Sequence, residues 1–95
     1  MDIEATAREW TTERLKKMGV TPTPEVAEQM VADLQESMED RINAAILEGV
    51  PKHLYAEFAQ SMDDGTMKAF LAENVPDTER RVREALEVFK REIVG

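Results

Sequence analysis

His53 is the only histidine among 95 residues, and histidine is the side chain best suited to move a proton near neutral pH. A general base also needs a nucleophile and an orienting partner. The neighbouring sequence offers only Tyr55, Glu57 and Ser61. His53 falls in the first turn of an expected helix, where the helix dipole disfavours an imidazolium. The plain reading is a polar residue near a helix start; the sharper one is a small enzymatic or metal-binding domain using His53. Carboxylates are the other candidates. Asp33, Glu36 and Asp40 stand at i, i+3 and i+7, which places them on one face of a helix able to hold a hard cation weakly. A di-iron bundle would need Glu-x-x-His on two helices, and a single histidine cannot supply that. The DDG at Asp63 to Gly65 invites comparison with a calcium loop. With Gly65 at the turn position, the first, third and last ligand positions become Gln60, Met62 and Leu71, so the loop fails at three ligands.

No GxGxxG, GxxxxGK[ST] or GxSxG occurs, which leaves dinucleotide, P-loop and hydrolase-elbow chemistry without a motif. No catalytic, cofactor-binding or metal residue is assigned. The one basic cluster, Arg80, Arg81, Arg83, Lys90 and Arg91, is interleaved with Glu79, Glu84 and Glu87. Pairs at i,i+4 such as Arg80–Glu84 and Arg83–Glu87 make it a solvated face. Net charge is −8, and residues 20–65 carry ten acids against Arg41 and Lys52 alone. Nucleic-acid backbones and anionic membranes are therefore disfavoured partners. A protein mimicking nucleic acid, and occupying a basic site on a nucleic-acid-binding protein, is the alternative that this excess suggests.

Side chains suited to a protein partner are easier to find. Trp10, Tyr55 and Phe58 are large anchors of the kind enriched at interfaces, and Glu36 and Asp40 belong to the acidic face. The methionines at 18, 30, 38, 62 and 67 can adapt to a partner or fill an irregular core. These five residues, Trp10, Glu36, Asp40, Tyr55 and Phe58, are the partner-binding candidates, for a foreign protein or for self-association.

The elements that must carry them are helical. Ala, Glu, Met, Leu, Arg and Gln dominate, and no stretch alternates with a period of two. A first helix is expected over about 3–18, with Ile3, Ala7, Trp10, optionally Thr11, Leu15 and Met18 as its stripe. Thr23 as N-cap and Pro24 at the first helical position open a long helix over about 24–48. Its apolar face is Val26, Met30, Leu34, Met38, Ile42, Ala45 and optionally Ile46. Helices over about 52–63, 66–73 and 78–93 follow, with Asp63 or Asp64 capping the fourth and Asp77 or Thr78 the fifth. Val82, Leu86, Phe89 and Ile93 form a clean stripe on the last. The expected core is Trp10, Leu15, Val26, Met30, Leu34, Ile42, Leu54, Phe58, Phe70, Leu71, Val82, Leu86 and Phe89.

MGVTP, EGVP and ENVP punctuate this pattern. Gly and Asn enter the left-handed conformation most readily, so Gly19, Gly49 and Asn74 are expected just past helix ends. Val20, Val50 and Val75 would then fold back on Leu15, Ala45 and Phe70. The prolines block continuation.

From about Leu34 to Phe89, the long helix ending AAILEGVP, the HLYAEFAQ helix and the FLAENVPD hinge resemble a family of small all-helical bacterial domains of unknown function. That resemblance implies a helical fold and supplies no ligand-binding residue. The expected protein is thus one all-α domain, a bundle of four to five helices around a long central one. No run of residues is apolar enough to span a bilayer, the acid-bearing MDIEATAREW with no apolar core leads to the expectation of no secretory signal, and the absence of cysteine fits a reducing cytoplasm. The leading expectation is a non-enzymatic interaction or assembly module.

Overall fold

The computed structural model describes residues 2–95. It contains five α-helices, α1 (Ile3–Met18), α2 (Pro24–Gly49), α3 (Tyr55–Asp64), α4 (Met67–Asn74) and α5 (Thr78–Val94), with a short 3-10 turn at Lys52–Leu54 before α3. No strand occurs among the described residues. The chain makes a rod of 48 × 24 × 19 Å, because the 26-residue α2 alone is about 39 Å long at 1.5 Å per residue.

Local chemistry sets most boundaries. Asp2 accepts a hydrogen bond from the Ala5 N–H and starts α1. Thr23 accepts one from the Val26 N–H, with Pro24 following, as such caps favour. At the end of α1, Gly19 takes φ 68°. The Val20 N–H there reaches the Leu15 carbonyl at 3.2 Å, a left-handed cap that closes two otherwise orphaned carbonyls.

The other two punctuation marks work differently. Gly49 and Asn74 are not left-handed; among the described residues only Gly19, Gly65 and Gly95 have positive φ. Gly49 is the last residue of α2, and a Cβ placed on it would lie 2.9 Å from Val75 Cγ1 and 3.0 Å from Arg81 Cδ. Its missing side chain lets the end of α2 approach the α4–α5 hinge. Asn74 uses its side-chain amide to donate to the Phe70 carbonyl at 3.0 Å. The left-handed cap that spacing alone did not single out is Gly65, where the Thr66 N–H bonds the Ser61 carbonyl at 2.8 Å. Neither Asp63 nor Asp64 caps α4; Asp64 instead accepts from Gln60. Asp77 at the head of α5 makes no cap hydrogen bond, since its carboxylate is engaged by Arg80 and Arg81.

Two core clusters fill the rod. Ala7, Trp10, Val31, Met38, Leu86 and Phe89 join α1, α2 and α5. Ile46, Val50, Phe58, Leu71 and Val75 join the end of α2 to α3 and α4, and Ile42 and Val82 pack against both clusters. Val50 and Val75 are buried as expected of residues that fasten turns, whereas Val20 is about half exposed. Val26, expected in the core, is also about half exposed. The reason is geometric: a strict four-residue step gains about 40° per step on a 3.6-residue helix. Val26, Met30, Leu34, Met38 and Ile42 therefore spiral by roughly 160°. Met38, Ala45 and Ile46 of the expected face are buried and Leu34 and Ile42 pack against the clusters, but near the start of α2 the core takes Val31 rather than Val26.

Candidate functional site

The five partner-binding candidates do not converge. Trp10 lies in the three-helix core, its ring meeting Phe89 edge-on at 6.2 Å between centroids. Phe58 lies in the second core, tilted against Phe70 at 5.8 Å. Both are buried, because each faces the apolar stripe of a neighbouring helix, so neither presents its ring to a partner in this fold. Tyr55 is exposed at the first turn of α3, and Glu36 and Asp40 are exposed on the outer face of α2. His53 is exposed in the 3-10 turn. No group of three or more His, Asp or Glu placed to hold a metal ion occurs among the described residues.

Charged side chains divide into those used and those unused. Arg8 grips Glu28 with two bonds, 2.6 and 3.1 Å, across α1 and α2. This hydrogen bonding, then the guanidinium charge, holds the Glu28 carboxyl below its ordinary value and Arg8 above its own. Arg41 donates to Glu92 at 2.6 Å and lies 4.7 Å over the Phe89 ring. Burial works to raise the Asp77 carboxyl, but hydrogen bonds and charge from Arg80 and Arg81 leave it lowered. The expected Arg80–Glu84 pair is present at 3.7 Å, while Arg83–Glu87 is not among the ion pairs of the described residues. The acids of α2 fan across the solvent side. At 100° per residue, Glu28, Asp33, Glu36, Glu39 and Asp40 cover an arc of roughly 140°.

One cleft brings together chemistry that periodicity could not. A cavity of about 210 Å³ opens between α1, α2 and the last turn of α5. Met30, Leu34 and Ile93 supply its apolar lining, with Thr11, Arg14, Asp33 and Ser37 as polar groups. Asp33 also accepts from Gln29 at 2.8 Å. The sequence signal for it was Thr11 itself, a hydroxyl set into the apolar stripe of α1. A second, more apolar notch is lined by Leu71, Ala72, Val75 and Pro76, between Lys68 and Glu79.

Residues 15–93 match the model of a protein family described as "Protein of unknown function (DUF5663)". The chain belongs to this family. The DUF5663 match is wider than the Leu34–Phe89 run that carried the resemblance, and takes in α2, α3 and α4 whole and α5 up to its penultimate residue. Thr11 and Arg14, on the α1 wall of the cleft, precede the matched span. No curated protein and no solved structure matches the chain.

Exposed apolar residues make one further feature. Met18, Val20 and Val26, each about half exposed, sit at the turn joining α1 to α2. No helix among the described residues is long and apolar enough to cross a membrane.

Proposed function

We propose that the protein is a non-enzymatic protein-interaction or assembly module whose contact surface includes the α1–α2 turn. The observation that carries this reading is the apolar end formed by Met18, Val20 and Val26. Single exposed apolar residues are ordinary on protein surfaces, but three within nine positions around one helix–helix connection concentrate exposed apolar surface there, the kind of surface that associates. The shape supports it. A compact chain of 10.8 kDa exposes about 5,500 Å², whereas this one exposes 6595 Å². Its radius of gyration of 15.9 Å likewise exceeds the value of about 12 Å for a compact domain. The cysteine-free composition supports a reducing cytoplasm as the compartment, and the resemblance noted above supports a bacterial source.

The acidic-mimic alternative has less support. A nucleic-acid mimic needs its carboxylates along a ridge, while those of α2 fan over a broad sector and Glu28 is held by Arg8. The test is native mass spectrometry, with light scattering, on purified protein and on complexes captured from lysate. It compares the natural chain with the Val20→Glu/Val26→Glu variant. Self-assembly or a stoichiometric complex that the variant loses, with its helical circular dichroism intact, is the expected result. A natural chain that is monomeric and partnerless under both conditions would overturn it.

A further inference from the structure

We propose that the cleft between α1, α2 and the last turn of α5 is a binding site for a small zwitterion, an aliphatic α-amino acid. Thr11 lines it and is only 4% exposed, yet its hydroxyl has no hydrogen-bond partner among the described residues. No fully buried side-chain nitrogen or oxygen among those residues lacks a partner, so the Thr11 hydroxyl keeps a solvent-facing edge, and the cleft supplies it. A hydroxyl held in an apolar core stripe with its bonding capacity open is costly unless something bonds it. Water or a ligand entering the cleft is what can.

The charges choose between ligand classes. Arg14 on α1 and Asp33 on α2 both line the cleft, and neither has an ion-pair partner among the described residues, including each other. A free anion such as phosphate would suit Arg14 and be repelled by Asp33; a simple amine would meet the reverse. A molecule carrying both charges satisfies both walls, with its carboxylate toward the planar donor fork of Arg14 and its ammonium toward Asp33. Thr11 and Ser37 supply hydroxyls to the remaining polar edges. Met30, Leu34 and Ile93 then offer an apolar lining for the side chain. At about 210 Å³ the cleft is smaller than the sites of drug-sized ligands and suits a small amino acid such as leucine. The site is separate from the turn that carries the assembly reading and stands or falls without it.

The experiment is an amide-resolved NMR titration of the full chain with L-leucine. It is repeated with 4-methylpentanoate, which lacks the ammonium, and 3-methylbutylamine, which lacks the carboxylate. Leucine should give saturable shifts centred on Thr11, Met30 and Ser37, and each analogue should bind at least about tenfold more weakly. Arg14→Gln should reduce leucine to the level of the amine, and Asp33→Asn should reduce it to the level of the carboxylate. Thr11→Val should weaken leucine several-fold; if it perturbs the spectrum of the free protein, Ser37→Ala reads the hydroxyl contribution instead. Three outcomes overturn the proposal: no saturable shift, analogues that bind as well as leucine, or leucine binding indifferent to both charge-removing variants.

Discussion

The half of the molecule built on Trp10 and Phe89 and the half built on Phe58 and Leu71 bury similar side chains but are tied together by different means. In the three-helix half, polar side chains reach across the fold. Arg8 meets Glu28, Arg41 meets Glu92, and Lys17 donates to the Val94 carbonyl at 2.6 Å, closing the C-terminal end of α5. In the α3–α4 half every side-chain hydrogen bond among the described residues spans three or four positions. Gln60 meets Asp64, Ser61 meets the Phe58 carbonyl, and Asn74 meets the Phe70 carbonyl. That half is joined to the rod by apolar packing and by the close approach at Gly49. Helices of ten and eight residues do not hold on their own in water, so their order is borrowed from Ile46, Val50 and Val75. The difference predicts two levels of stability in one small chain.

Truncating an aromatic in each half is the strongest way to break this comparison. Phe89→Ala removes the edge contact to Trp10 and the cation contact from Arg41, and should cost about 3–5 kcal/mol of global stability, read from denaturant midpoints. Phe58→Ala removes a ring of the same size, yet its main effect should be faster amide exchange confined to α3 and α4. Uniform loss of protection in both variants would mean the halves unfold as one.

The Gly49 contact is probed by Gly49→Ala. At an open helical position this change stabilises; here the Cβ meets Val75 and Arg81, and overpacking should cost about 1–3 kcal/mol. Adding Val75→Ala should lessen the effect of the Gly49 substitution, which a purely conformational role for Gly49 would not allow. A smaller effect is expected of Asn74→Gly. Asn74 has no left-handed φ for glycine to relieve. Losing its bond to the Phe70 carbonyl should therefore destabilise by about 1 kcal/mol, seen as a lower melting temperature.

The smallest effect concerns Glu28. Its carboxyl is held below the ordinary value of 4.5 by Arg8, so the folded state binds that proton less readily than the unfolded state. The resulting stabilisation is present above the ordinary carboxylate range and is lost as pH falls through the lowered folded value. Both side chains are exposed, so the contribution is small. The stability gap between the natural protein and Glu28→Gln should be slight at neutral pH and close on acidification, as followed by urea titration.

Helix number, the chain reversals and most of the aromatic core were legible in the sequence, because caps, prolines and the 4, 3, 4 spacing of α5 act locally. The outer acids of α2 were legible for the same reason. Sequence pattern alone placed most of the inward face of α2 but could not say that Val31 rather than Val26 turns inward near its start, since a four-residue step drifts round the helix until a partner fixes the direction. Nor could it distinguish a glycine that turns the chain, as Gly19 and Gly65 do, from one that makes room, as Gly49 does. A positive φ is a property of one residue, but a steric gap is a property of two segments. The cleft is likewise tertiary. Thr11, Arg14, Asp33 and Ile93 are scattered along the chain, and only the packing of α1, α2 and α5 brings a buried hydroxyl and two opposite charges to one opening.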